Sequence, residues 1–430
     1  MKNFAEKSFV AAVLILLALT AGSCVRQEAS STKNPEKAPE IRAEDAGIRA
    51  ARELIEKMPD SSLGYNRLAV AYIRRARETG DFSLNQKAET AVGRSLEIDP
   101  ENFEAKKIKA SLLLTFHRFD EALEFGRRLQ REHPRDSFFY GVLTDANNEL
   151  GNYEEAVENI QMMVDLRPDM SSYSRVGLVR SLHGDHDGAI EALETAARIA
   201  DPEDLEAQSW CLVHLGDEFY KTGRFEEAEK RYDAALKLLP DYHLALAAKG
   251  KARAAAGDHA QAITFYRRSL ERVPLTETVI RLGDLYVKTG EREKAEKQYE
   301  LAEAIEKNLG NIDQRRLALL WADRDMKLDE ALEIARRERE KRRDIRTADI
   351  LAWCLYKKGI YGEAQTAIKD ALRLKTNDAL IFYHAGMIEK ASGNKRAAAE
   401  FLRKALELNP AFDVIQAEEA RKALEKTEQF

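Results

Sequence analysis

The sequence predicts an all-α protein in which about ten helix-turn-helix units stack into a right-handed solenoid. Ten alanines recur at intervals of 33 to 39 residues, and each opens a stretch with helical periodicity. Glycines and prolines fall between these stretches, where they end helices. Such self-similarity is typical of a stacked array, in which every unit buries its apolar face against its neighbours. The alanines are Ala88, Ala122, Ala156, Ala189, Ala228, Ala262, Ala295, Ala331, Ala364 and Ala398.

Residues 1–23 have the pattern of a secretory signal peptide. A charged start precedes an apolar run over residues 9–21, which is shorter than the roughly 20 residues needed to span a bilayer. The small residues Ala21-Gly22-Ser23 directly before Cys24 resemble the lipobox of bacterial lipoproteins, in which the cysteine carries the lipid. The resemblance implies lipidation of Cys24 and a membrane-anchored protein of the cell envelope, periplasmic in a diderm organism. A lipobox usually has leucine where this chain has Ala21, so cleavage without lipidation stays an alternative.

The segment that follows the signal peptide is predicted to be a tether. Residues 24–42 begin with the cysteine, contain two prolines and no aromatic residue, and have too few apolar side chains to form a core. Residues 43–61 are predicted to contain a lone helix that precedes the first unit. The repeated units are predicted over residues 62–410.

The fifth unit, residues 209–240, shows why each unit folds as two helices. Its apolar residues recur at helical spacing, and Gly216 on the same face lets the second helix approach closely. Gly223 can adopt the left-handed conformation that closes a helix C-terminus. Ala228 occupies a close contact on the second helix, and Pro240 prevents that helix from continuing.

The unit resembles the tetratricopeptide repeat, which has small residues at unit positions 8, 20 and 27 and bulky ones at positions 4, 7, 11 and 24. Positions 7, 8 and 11 are held by the motifs Leu68-Ala69-x-x-Tyr72, Leu215-Gly216-x-x-Phe219 and Leu282-Gly283-x-x-Tyr286. The prolines at position 32 are Pro100, Pro134, Pro168, Pro240, Pro274 and Pro410. The resemblance covers most of the chain and places the ten units near residues 62, 103, 137, 170, 209, 243, 276, 312, 345 and 379.

Two regions depart from the regular repeat. The eighth unit fits worst, because it places Leu319 where a small residue is usual and Glu338 at position 27. Residues 411–430 are predicted to form a C-terminal capping helix. A solenoid needs such a polar-backed helix at its end, because an uncovered apolar face would promote association.

The resemblance implies a concave groove, lined by the first helices of the units, that binds an extended peptide or a helix of a partner protein. Aromatic residues supply rigid contact area there, and charged residues set the register of the partner. For Trp210 and Trp353, packing between adjacent helices is an alternative. The predicted groove residues are Trp210, Asp217, Tyr220, Lys221, Lys251, Asp284, Lys288, Arg346, Asp349, Trp353, Tyr356 and Tyr383.

Other classes of function find little support in the sequence. A formal net charge of −6 disfavours a general nucleic-acid binder. The stretch 183–187 contains two histidines and two aspartates, but it falls on a turn and favours turn formation over a metal site. Residues 336–346 carry seven basic and three acidic side chains, which favours a solvated helix end, with a contact to anionic lipid headgroups or to an acidic partner as the alternative. We predict no metal, no cofactor and no small-molecule substrate.

These observations favour a non-enzymatic scaffold for other proteins, anchored in the bacterial cell envelope. An alternative is a fixed structural subunit of a secretion, pilus or polysaccharide-export assembly. No catalytic motif supports an enzyme, and function on a repeat fold has to be argued from a site.

Overall fold

The computed structural model describes residues 45–309 and 313–428, and within these ranges the protein consists of 22 helices with no strand. This confirms the predicted all-helical solenoid. The predicted signal peptide, the lipidated Cys24 and the tether lie outside the described residues. No helix within the described ranges combines the length and the apolar character needed to cross a membrane.

Helix α1 (Ala46–Lys57) precedes the paired helices of the first five units. The pairs are α2 (Ser62–Thr79) with α3 (Ser83–Ile98), α4 (Phe103–Thr115) with α5 (Phe119–Glu132), α6 (Ser137–Leu150) with α7 (Tyr153–Leu166), α8 (Met170–Leu182) with α9 (His186–Ile199), and α10 (Leu205–Lys221) with α11 (Phe225–Leu238).

Five further pairs and a last single helix complete the chain. The pairs are α12 (His243–Ala255) with α13 (His259–Arg272), α14 (Thr276–Lys288) with α15 (Arg292–Asn308), α16 (Arg315–Asp323) with α17 (Leu328–Lys341), α18 (Ile345–Lys357) with α19 (Tyr361–Ala371), and α20 (Ala379–Ala391) with α21 (Lys395–Leu408). Helix α22 (Gln416–Glu428) follows the tenth unit.

Small residues at helix contacts hold the stack together. Each of the ten regularly spaced alanines is at most 1% exposed. In unit five, Gly216 lies against the ring of Tyr232, and the same contact recurs between Gly250 and Tyr266. A Cβ atom at Gly250 would come within 2.6 Å of that ring, so the two helices can approach this closely only because glycine has no side chain.

The assignment of Leu319 to the small position of unit eight was wrong. Ala318 is fully buried and takes that position, whereas Leu319 is only partly buried. The turn between α16 and α17 has one extra residue, and both Asp325 and Lys327 have left-handed backbone conformations there. Because the extra residue lies between the two helices, a pattern aligned on the second helix is displaced by one position in the first.

The turns within the first five units pack against loops that join much later units. The turn of unit one meets the loop after unit six, where a Cβ atom on Gly80 would lie 2.6 Å from the side chain of Val273. The turn of unit four likewise meets the loop after unit nine, at Lys375 and Asn377. The solenoid therefore completes a superhelical turn in between five and six units, and its successive turns are in contact.

These contacts between superhelical turns, which we call the seam, combine a small apolar cluster of Tyr153, Leu182 and Ile345 with many polar contacts. The backbone N–H of Ile345 donates to the Tyr153 hydroxyl at 2.8 Å, across 192 residues of sequence. The side chain of Asn409 donates to the carbonyl of Tyr220 at 2.8 Å. Arg342 donates to the Glu149 carboxylate, also at 2.8 Å. Successive first helices contact one another more extensively than successive second helices do, so the first helices lie on the inner side of the superhelix, which we call the central channel.

The basic stretch at 336–346 contributes to the seam. Arg342 is 1% exposed and lies among the carboxylates of Glu149, Asp313 and Glu338. Arg339 pairs with Asp370 of the next unit. Several of these cations are therefore neutralised inside the molecule.

A candidate interaction surface in the central channel

All twelve predicted groove residues lie on first helices of their units. Four are on α10 and four on α18, and the remainder are on α12, α14 and α20. Trp353 is 2% exposed and Tyr383 is fully buried, whereas Lys288 and Arg346 are exposed. The structure therefore brings part of the set together inside the channel and leaves the rest at its edges.

In units five and six, the channel contains a polar group centred on Asp217. Its carboxylate accepts hydrogen bonds from Lys251 at 2.5 Å and from the Tyr232 hydroxyl at 2.9 Å. Burial acts to raise the pKa of Asp217, but the Lys251 ammonium outweighs it and the pKa is lowered. Lys251 also lies 4.4 Å from the ring centre of Tyr220, which gives a cation–π contact.

In units seven and eight, buried carboxylates lie close to one another. Asp284 accepts a hydrogen bond from the Tyr299 hydroxyl at 2.7 Å and pairs with Arg324. Burial raises the pKa of Asp284 to about 7, and the neighbouring carboxylates of Asp413 and Asp323 add to the effect while Arg324 opposes it. The pKa of Asp323 is raised to about 6, again chiefly by burial.

In units nine and ten, aromatic rings fill the channel. Trp353 stacks on His384 at 4.1 Å and on Tyr356 at 4.8 Å between ring centres. Its indole N–H donates to Asp323 at 2.8 Å. The imidazole of His384 is held by Asp349 at 2.9 Å. Trp353 therefore packs between helices, which is the alternative that the sequence left open for it.

Three of the predicted residues lie away from these groups. Trp210 is half-buried and contacts the ring of His214 in a tilted arrangement, with ring centres 3.9 Å apart. Lys221 donates to Ser181 at 3.0 Å and pairs with Glu218, close to the seam. Arg346 is exposed at the start of α18.

Large apolar side chains are exposed on the inner faces of units one and four. Val70 comes directly after the buried Ala69 in unit one. In unit five, Asp217 comes directly after the buried Gly216, so Val70 and Asp217 occupy equivalent inward positions. Leu178 has the same position after Gly177. Val70 is 54% exposed and Leu178 is 41% exposed. The equivalent positions of units two and three are the polar Ser111 and Asp145, so the two apolar side chains are separate contact points on the inner face.

The sequence analysis missed the contribution of the chain's C-terminal region to the channel. Gln416 donates to Asp323 at 2.8 Å, and Glu419 accepts from the Tyr383 hydroxyl at 2.7 Å. Asp323 was missed because it belongs to the poorly fitting eighth unit. The glutamates of α22 could have been noticed, since two adjacent acidic residues near the start of a capping helix are available to pair with lysines in the channel.

A cavity of about 200 Å³ lies between units five to seven and the C-terminal region. Its lining mixes Lys251, Arg281 and Lys288 with the carboxylates of Asp413 and Glu418. Among the described residues, no group of three or more histidine, cysteine, aspartate or glutamate side chains is placed to hold a metal ion. The arrangement offers ion pairs and hydrogen bonds to a polypeptide.

Several known proteins resemble the chain. Anaphase-promoting complex subunit 3 of Schizosaccharomyces pombe is 26% identical over 245 residues, which are 54% of this chain and 36% of that protein. The chain thus spans about a third of this relative. Two solved structures resemble it more loosely. The APC/C hetero-tetramer Cut9-Hcn1 has a TM-score of 0.45 and 16% identity over 88% of this chain and 59% of that chain. Yeast Tom70 has a TM-score of 0.40 and 13% identity, over 89% of this chain and 92% of that chain.

Three family models described as tetratricopeptide repeat match the chain. One matches residues 74–137 and 214–275, another residues 168–241, and the third residues 276–313 and 379–412. Together these matches span more than half of the sequence, and they fall on the helix pairs described above. The chain therefore belongs to the tetratricopeptide repeat family.

Proposed function

We propose that this protein is a non-enzymatic scaffold that binds a segment of another protein along the inner surface of its superhelix. The observation that carries the proposal is the exposure of Val70 and Leu178 at inward positions of the first helices. A segment bound along the inner face would bury these side chains, and that burial would favour binding. The half-buried Trp210 would extend this surface toward the channel.

The polar interior supports the same proposal. Rings and charged groups such as Tyr220, Lys251 and Lys288 combine apolar contact with hydrogen-bond donors. A helix or an extended peptide offers carbonyl and carboxylate oxygens that such donors recognise. Buried area would provide the affinity, and the charged groups would set orientation.

Photocrosslinking in the native host tests this proposal. Benzoylphenylalanine at position 70 or 178 is expected to capture a partner protein. Val157 provides a matched control, because it is a valine with 43% exposure on the second helix of its unit. Equal capture from positions 70 and 157, or capture from neither, would contradict the proposal. Co-purification, without crosslinking, of one stoichiometric partner that stays bound at high salt would instead favour the fixed subunit of an envelope assembly.

We further propose that the scaffold is exported and anchored to a membrane of the bacterial cell envelope through Cys24. The supporting observation is the charged start, apolar run and small residues before that cysteine. Mass spectrometry of the mature N-terminus is expected to find a lipidated Cys24. An unmodified N-terminus at any other residue would exclude the anchor and leave the interaction surface unaffected.

A further inference from the structure

The channel residues of units five to ten bind a segment of the same chain. We call residues 411–419 the strap. Its first contact is in unit five, where the Tyr220 hydroxyl donates to the carbonyl of Ala411 at 2.8 Å. The preceding residue, Pro410, lies near the turn at Gly223 of the same unit.

The strap then contacts three more units through its side chains. Gln416 reaches Asp323 of unit eight at 2.8 Å, and Glu419 reaches Tyr383 of unit ten at 2.7 Å. Glu418 pairs with Lys288 of unit seven at 2.5 Å, although 130 residues separate them. Each of these partners lies on a first helix and faces the interior.

Apolar side chains of the strap add to these contacts. Val414 packs against the buried cluster of units six and seven that includes Tyr266 and Leu285. The ring of Phe412 lies 5.7 Å from that of Tyr383. The strap thus combines apolar contacts with hydrogen bonds to side chains of the channel, as expected of a bound peptide.

The loop before α22 allows the strap to enter the channel. Residues 409–415 connect α21 to α22, whereas residues 239–242 suffice between α11 and α12. The longer connection carries Ala411 and Val414 across the channel rather than directly into the next helix. A capping role alone would require only the packing of α22 on α21.

One ion pair of the strap is accessible to water. The Lys288–Glu418 pair is partly exposed, with 33% and 43% of the two side chains accessible. Such pairs contribute little to stability because water screens them. Ala417, Ala420 and Ala423 of α22 are at most 4% exposed, so a displacing helix would have to reproduce these apolar contacts as well as the ion pair.

We propose that the strap is an intramolecular ligand of the channel, and that the partner which displaces it is an acidic helical segment of another protein. The inference deepens the proposed function and rests on it. Of the basic groups that line the cavity beside the strap, Lys251 already pairs with Asp217 and Arg281 with Glu277. Lys288 loses its carboxylate partner when the strap leaves, and an acidic helix fits it because Glu418, itself on a helix, is that partner.

A fluorescent peptide with the sequence of residues 411–428 tests the proposal on the full chain. The double variant Gln416→Ala/Glu419→Ala weakens the strap and is expected to bind the peptide at least tenfold more tightly than the wild type. Glu425→Ala removes the same charge from an exposed position of α22 and is expected to bind like the wild type. A scrambled peptide is expected to bind none of the three proteins.

Equal affinity of all three proteins for the peptide, or no binding by any of them, would overturn the proposal. Hydrogen exchange provides a measurement that needs no variant. Excess peptide is expected to accelerate exchange of the amides in residues 411–419 of the wild type, and unchanged exchange would count against displacement. If either of these results rejects the strap as a ligand but a partner protein is still captured at position 70, the proposed scaffold function stands.

Discussion

The contacts between neighbouring units and the contacts across the seam use different chemistry. Neighbouring units meet through alanines and rings that exclude water, such as Ala228 and Tyr232, both fully buried. The seam has a small apolar cluster and adds directional polar contacts, such as those from Arg342 to Glu149 and from Thr376 to the carbonyl of Leu182. Apolar contacts supply most of the folding free energy, whereas polar ones contribute less and depend on geometry. The stack therefore maintains the helices, and the seam determines how tightly the superhelix is wound.

The largest expected effect comes from damage to the stack. Tyr232→Ala removes a fully buried ring and is expected to lower the free energy of unfolding by about 3 to 5 kcal/mol. Tyr232→Phe loses only the hydrogen bond to Asp217 and should cost about 1 kcal/mol. Denaturant unfolding followed by circular dichroism measures both values. A cost below 1 kcal/mol for the alanine variant would contradict the role of these rings.

Breaking the central ion pairs of the seam is the next largest perturbation. Arg342→Met leaves Glu149 and Glu338 without their guanidinium partner and should cost about 3 kcal/mol, because unpaired buried charge is unfavourable. Small-angle scattering is expected to show a larger radius of gyration for this variant, with the helical signal retained. If the helical signal instead falls in proportion to the increase in radius, the seam cannot open without unfolding the helix stack.

Two glycines provide a matched comparison of a turn inside the seam with a turn outside it. Gly151 and Gly359 have φ values of 74° and 75°, so alanine at either site costs about 1 kcal/mol of backbone strain. A Cβ atom at Gly151 would collide with the carbonyl of Arg343, whereas one at Gly359 would meet no atom within 4 Å. Gly151→Ala is therefore expected to destabilise the protein more than Gly359→Ala and to expand it. Equal melting temperatures and equal radii would contradict the seam.

The smallest effect is a pH dependence of the seam at His186. Burial alone would lower the pKa of His186, but hydrogen bonds to Glu218 and to the carbonyl of Asn377 outweigh burial and raise it. Because the folded pKa exceeds the unfolded value of about 6.5, this contribution is complete below pH 6.5 and is lost as the pH rises through the folded value. Nearby Lys221 opposes the protonated form, and Glu218 has a lowered pKa and stays ionised.

The variant His186→Gln isolates this contribution. The difference in unfolding free energy between wild type and variant is expected to be larger at pH 6 than at pH 8.5. A difference that is constant with pH, or that grows toward alkaline pH, would contradict the protonated contact.

The sequence was sufficient to predict the stack, because each unit carries its own signals. The alanines, the turn glycines and the periodic apolar residues act within about 34 residues, so the pattern reveals the helix pairs without knowledge of the rest. The position of each predicted groove residue within its unit also placed it correctly on a first helix. Unit eight was misaligned because the extra residue in its turn leaves no mark in the apolar pattern.

The seam and the strap could not be predicted in this way. Residues such as Tyr153 and Ile345 are separated by 192 positions, and the curvature that brings them together accumulates from small rotations at every unit. Trp353 and Tyr383, which the resemblance had assigned to an accessible groove, are buried by neighbouring first helices and by the strap. The basic stretch at 336–346 could be recognised as charged, but its acidic partners Glu149 and Asp313 lie in other units.

Hydrogen exchange at the amide of Ile345 tests most directly whether successive superhelical turns pack against each other. This amide is the first of α18 and has no acceptor within its own helix, so the Tyr153 hydroxyl of the neighbouring turn is the group that protects it. We expect slow exchange in the wild type and fast exchange in Tyr153→Phe, with the interior amides of α18 unchanged. Exchange in the wild type as fast as at other first-turn amides would contradict the closed superhelix.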